Sequence, residues 1–316
     1  MLYTAYNTTK TVQDISNILI KTTASNSFIF SGAKGVGKAM VTKELAKSLL
    51  SSTADYSANL LWIDTQQDKF SVENIRNIHD FVGKTSYSLS PKIIVIDSID
   101  DLNLFAANAL LKLLEEPTER CYFILISHNI ATVLKTIRSR CLNVRFTHPD
   151  HNTAINIIQQ KFPELNERDV MQYSYLAHDI PGIVVDLIEN RGLIFYTQIL
   201  QSVEVFNNKA EVLYDFIDHN FTKETLKPKW KIFKFLIRHL LKELVSTGGI
   251  YKANSNFPPI EYEQTIIKQL YSIRPIDDWL LLYSEINKLL YHADSSNLGV
   301  SNIILLIFYK IAFKYG

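Results

Sequence analysis

Residues 32–39 read G-A-K-G-V-G-K-A, a phosphate-binding loop complete except at its last position. Gly32, Gly35 and Gly37 allow backbone N–H groups to turn inward and cradle phosphate oxygens. Lys38 is spaced to reach the β- and γ-phosphates, and the helix that follows adds the positive end of its dipole. The motif normally closes on Ser or Thr, whose hydroxyl ligates Mg2+ during phosphoryl transfer. Here that position is Ala39. The residues therefore specify a nucleotide cradle with one catalytic part removed. A glycine turn that matches by chance is the plain alternative, and the flanking pattern argues against it.

A strand must deliver such a loop and a helix must leave it. Ser27-Phe28-Ile29-Phe30 is a short apolar run suited to a buried strand. Met40, Val41, Leu45, Leu49 and Leu50 recur at helical spacing, with Lys43, Glu44 and Lys47 between them. Further strand candidates lie at 60–63, 93–96, 122–126 and 142–146. A helix is expected from Ser71, with Ile75, Ile78 and Val82 on one face. Strands alternating with helices predict an α/β fold: a five-stranded parallel sheet in an αβα sandwich, with the phosphate-loop strand in its interior. Beyond His148-Pro149 the pattern is helical. Three short helices are expected at 152–162, 167–177 and 182–189, then longer amphipathic ones such as 229–244 and 279–291. A loop at 248–259 separates the last two. The expected division is 1–147, 148–193 and 194–316.

Bulk properties narrow the function classes. At 316 residues the chain can build two or three cores. Its net charge of +1 creates no global attraction to nucleic acid or membrane. Cys121 and Cys141 are too few for a disulfide framework or a cysteine metal cluster, and buried thiols are expected. The first residues lack a secretory-signal pattern, and apolar runs such as 303–308 are short of a membrane span. A soluble, cytoplasmic protein is the expectation.

The third strand candidate ends in Asp97, where a carboxylate can hold Mg2+ directly or through water. Its other reading is a cap on the next helix. In hydrolysing ATPases with this arrangement the next residue is Glu, which orients the attacking water. Here it is Ser98, whose hydroxyl cannot accept a proton as a carboxylate does. Asp100 and Asp101 are expected on the following turn, pointing away.

Residues 106–117 read A-A-N-A-L-L-K-L-L-E-E-P and residues 138–141 read R-S-R-C. The first is a strong helix stopped by Pro117. Together with the phosphate loop and a strand ending in Ser127, they make the chain resemble the AAA+ subunits of bacterial DNA polymerase III clamp loaders. The resemblance is specific over 25–147 and fades toward the C-terminus.

It implies an AAA+ domain (1–147), a three-helix lid (148–193) and a helical collar that assembles a ring (194–316). It implies that Arg140 acts in trans as an arginine finger on a neighbour's ATP, with Ser139 and Cys141 aiming it. A fork-shaped, permanently charged guanidinium suits that task. A surface ion pair is the alternative for Arg140. Ser127 takes the place of a phosphate sensor, while a second sensor arginine is missing, since Gly182 is followed by I-V-V. Many family members carry a four-cysteine zinc module where residues 51–59 have no cysteine, so no zinc is expected.

The implied function is a catalytically degraded subunit of a hetero-pentameric clamp loader. It would help load the sliding clamp on primed DNA beside gamma/tau and delta subunits. On this expectation it does no catalysis alone but belongs to a DNA-directed DNA polymerase holoenzyme. It requires no cofactor, although ATP, ADP or phosphate can still occupy the loop. The alternatives are an active clamp-loader ATPase and a P-loop kinase. The long helical C-terminal half and the S-R-C element disfavour the kinase. The basic residues Lys227, Lys231, Lys234, Arg238 and Lys242 are read as a solvated helix face, with phosphate contact as the rarer alternative.

Overall fold

The computed structural model describes residues 2–3, 8–21, 26–50, 57–65, 70–83, 91–100, 102–115, 120–206, 211–247, 260–293 and 299–313. Expectations for Asp101, Pro117, residues 51–56 and the 248–259 loop lie outside them. Two compact units are present, Met1–Thr153 with Ile180–Gly182, and Ala154–Asp179 with Ile183–Gly316.

The first unit is built on a parallel sheet of β1 (Leu2–Tyr3), β2 (Ser27–Ser31), β3 (Leu60–Asp64), β4 (Lys92–Asp97), β5 (Cys121–Ser127) and β6 (Leu142–Phe146). The spatial order is β1-β6-β2-β5-β4-β3. The five expected strands all form, and β2 lies in the interior. The sixth, β1, pairs Leu2 with Arg145 and Tyr3 with Phe146. Two residues are too few to show any periodicity. Every residue of β2 is buried, as a strand covered on both faces must be. Ile29, Ile94, Ile96, Phe123 and Leu125 share one core with Ile78, Leu110 and Ile137. Each fully buried side chain of this size contributes about 1.5–3 kcal/mol.

The helix Lys38–Leu50 follows the phosphate loop, and Val72–Gly83 and Leu104–Glu115 flank the sheet. Asn103 caps the last of these, its Oδ1 accepting from Ala106 N at 2.8 Å and its carbonyl from Ala107 N at 2.9 Å. The three short helices expected beyond residue 148 are His151–Lys161, Glu167–Leu176 and Pro181–Glu189. Asn166 opens the second by accepting from Asp169 N.

In the second unit, Val170, Leu176 and Val184 share one hydrophobic cluster with Phe195, Phe233, Trp279 and Phe308. Inside this cluster sits a polar knot. Glu263, 0% exposed, accepts from Tyr196 OH, from Tyr175 OH at 2.9 Å, and contacts His239 Nε2 at 3.2 Å. Burial, then the Glu263 carboxylate, push the Tyr196 phenol well above its ordinary range. Four of the five residues of the basic stripe have partners within their own unit. Lys231 pairs with Asp186 at 2.5 Å, Lys234 lies over the Trp230 ring, Arg238 bonds Asn287 and Lys242 meets His178. Those partners fit the solvated-face reading.

Candidate functional site

β2 runs out at Ser31 and the chain turns at Gly32 (φ +151°), Gly35 (+87°) and Gly37 (+91°) before the helix begins at Lys38. At Gly32 the reason is crowding as well as φ. Its N–H donates to the Ser127 carbonyl at 3.3 Å, and a Cβ would stand 2.4 Å from the Phe146 carbonyl oxygen. Gly32→Ala is therefore expected to destabilise the chain by more than about 1 kcal/mol. A urea midpoint unchanged from wild type would contradict this.

The tip of the loop is held too. Gly182 N donates to Gly35 O at 3.1 Å, and a Cβ on Gly182 would meet that oxygen at 2.6 Å. The residue expected only to precede a missing arginine thus has its own backbone role.

Lys38 is 3% exposed, and its Nζ donates to Gly32 O at 2.6 Å and Ala33 O at 2.7 Å. Burial lowers its pKa to about 8, with the carboxylates of Asp100 and Asp97 pulling the other way. The loop glycines and this ammonium fit a phosphate group. For Mg2+ the donor set is short, because Asp97 remains but Ala39 offers no oxygen.

Asp97 ends β4 opposite Asp64 on one side and Ile126 on the other. Ser98, 5% exposed, is bracketed by Thr65, whose Oγ1 accepts from Ser98 N at 2.7 Å and donates to Ser98 O at 2.6 Å. No carboxylate occupies this position. Ser127 ends β5 beside Ser31, so the sheet brings Ser127, Asp97 and the loop to one edge.

One expectation is corrected here. Asp100 does lie on the turn after β4, but it does not point away from the site. It accepts from Ser127 Oγ at 2.8 Å, His128 N at 2.7 Å and Asn129 N at 2.9 Å. Backbone donors at a strand exit need an acceptor, and this carboxylate supplies one. Burial opposes its charge, yet those three hydrogen bonds together hold its carboxyl below the usual range. The His128 ring nitrogens are buried and have no hydrogen-bond partner among the described residues. Burial, then the Lys38 charge, lower its pKa to about 4, so the ring is neutral.

Arg140 belongs to a different edge. It sits on an exposed turn after the short helix Lys135–Arg138, just before β6. Because Leu142 pairs with Phe28 while Arg145 pairs with Ser31, Arg140 lies by the start of β2 and the phosphate loop by its end. The parallel register separates the two by the length of a strand. Its Nη2 donates to Glu115 Oε1 at 2.6 Å and its Nη1 to Thr136 O at 3.0 Å. Ser139 Oγ also donates to Thr136 O, at 3.0 Å. Cys121 is fully buried and Cys141 only partly, against the expectation of two buried thiols. Burial pushes both thiols up to about 12.

Among the described residues no group of three His, Cys, Asp or Glu side chains could hold a metal. Nor is any helix among them long and apolar enough to cross a membrane. Asp100, Thr65 and Glu115 were not singled out as site residues from the sequence. Their partners lie 25 or more positions away, and no local pattern marks them.

Residues 7–150 match a family model described as DNA polymerase III, delta subunit. The chain is 32% identical over 155 residues to DNA polymerase III subunit tau of Bacillus subtilis, covering 44% of this chain and 27% of that one. It is 36% identical over 94 residues to subunit delta′ of Buchnera aphidicola subsp. Schizaphis graminum, covering 30% and 29%. To subunit gamma of the same organism it is 30% identical over 165 residues, covering 47% and 45%. The matches thus span between 27% and 45% of these relatives' own length.

Proposed function

We propose a catalytically degraded AAA+ clamp-loader subunit of the delta-prime kind, a reading supported by the match of residues 7–150 to the DNA polymerase III delta-subunit model and by the likeness to the tau, delta′ and gamma subunits. The observation that carries this is the phosphate cradle with alanine and serine at its two working positions. Gly32, Gly35, Gly37 and Lys38 are placed to hold phosphate. Ala39 stands where a hydroxyl should meet Mg2+, and Ser98 where a carboxylate should orient water. Bound Mg2+ would supply charge neutralisation at the β- and γ-phosphates.

Arg140 is the part that remains useful. Its distance from its own loop along the sheet supports a role on another chain's nucleotide. The partners on this reading are gamma/tau and delta subunits in a pentameric ring, which reaches the sliding clamp and primed DNA as a complex. The lid at 148–193 and collar at 194–316 complete it, in the cytoplasm, with no zinc and no required cofactor.

The competing reading is an active ATPase, favoured by the tau and gamma relatives, which are about as similar as the delta′ one. The isolated chain separates the two. We expect no ATP hydrolysis above background, since metal coordination and water activation are both impaired. Steady phosphate release that disappears on Lys38→Ala would establish the ATPase instead. ADP binding at millimolar concentration is the companion expectation, read by calorimetry.

A further inference from the structure

Three donors converge on one carboxylate beside the phosphate loop. Ser127 Oγ and Asn129 N reach Asp100 Oδ1 at 2.8 and 2.9 Å, and His128 N reaches Oδ2 at 2.7 Å. A serine hydroxyl has a single proton to donate, and Ser127 gives it to Asp100. Phosphate oxygens only accept. A γ-phosphate arriving at Ser127 would find the proton already committed and a negative charge behind it. Lys38 Nζ is likewise committed, donating to Gly32 O at 2.6 Å and Ala33 O at 2.7 Å, with the Asp100 charge supporting the ammonium. Both side chains that would recognise a γ-phosphate are therefore already served from within the chain.

We infer that Asp100 is a built-in anion standing in for a γ-phosphate, so that this site does not distinguish a nucleoside triphosphate from a diphosphate. The inference rests on reading residues 32–38 as a nucleotide cradle. The α- and β-phosphates meet backbone N–H groups of the loop, a contact common to both nucleotides. A third phosphate would meet Lys38 and Ser127, and repulsion from Asp100 would offset those contacts.

The test is calorimetry on the full chain with ADP and with ATPγS, each with Mg2+. Wild type should bind the two within about threefold of each other, and Asp100→Asn should shift the ratio about tenfold toward ATPγS. Asp100→Ser also removes the charge, with a shorter side chain that brings no amide N–H toward the backbone donors. It should give the same shift, so a folding defect in the first variant does not decide the matter. A wild type that already prefers ATPγS tenfold overturns the inference. So does an unshifted ratio in the folded variants, which would make Asp100 a turn cap only. If neither wild type nor variants bind ADP, the cradle reading falls and this inference with it. ADP binding with an unshifted ratio removes this inference alone.

Discussion

Arg140→Ala is expected to slow ATP hydrolysis at the adjacent subunit's site by about 10³-fold in a reconstituted clamp loader, the lower end of what an arginine supplied in trans contributes. The chain itself should stay folded and assembled. Arg140 lies on an exposed turn, and its partner Glu115 is 48% exposed, so the ion pair adds at most about 1 kcal/mol. That weak hold also lets the guanidinium leave Glu115 for a phosphate at little cost. Arg140→Lys should rescue poorly, because an ammonium lacks the planar fork. The measurement is the DNA- and clamp-stimulated ATPase rate at matched assembly. An unchanged rate would reduce Arg140 to the surface ion pair that its contact with Glu115 already makes.

The largest effect on stability is expected at Glu263. Glu263→Ala removes the shared acceptor of Tyr175 and Tyr196 and the partner of His239, all inside an apolar cluster. Leaving a buried hydroxyl without its acceptor costs about 1–3 kcal/mol, and two tyrosine hydroxyls share this one. Glu263→Gln keeps an acceptor oxygen and should lose less. Asp186→Ala, which breaks an exposed pair with Lys231, should cost under about 1 kcal/mol. Urea midpoints of the three variants give the ranking. A Glu263→Ala midpoint close to that of Asp186→Ala would show that the knot contributes no more than a surface pair.

What could be read from the sequence was what is local in it. The middles of β2, β4 and β5 are unbroken apolar runs because both faces of a parallel sheet are covered, and that pattern survives in a single sequence. Ala39 was visible because the loop motif numbers its own positions. β1 was not, since its two residues carry no period. The role of Asp100 escaped because it depends on the β4 and β5 exits lying side by side, which only the sheet order reveals. Gly182 was legible as a glycine before an absent arginine, while its hold on Gly35 required the folded backbone. Short-helix boundaries differed by at most one residue, and the helix capped by Asn166 starts at Glu167 as expected.

The position of β2 between β5 and β6 also fixes when this chain can protect itself during synthesis. Ser27 waits for Phe123 and Phe28 for Leu142 before either edge of that strand has a neighbour. At about 5–20 residues per second, the ribosome needs roughly 5–20 s to supply them. Through that interval an apolar S-F-I-F-S segment with two open edges is exposed to other nascent chains. A ribosome stalled before β5 therefore leaves a sticky intermediate, and one stalled after β6 leaves β2 paired along both edges. Production of this protein should accordingly depend on holdase chaperones early in translation and become independent of them once residue 146 has left the exit tunnel.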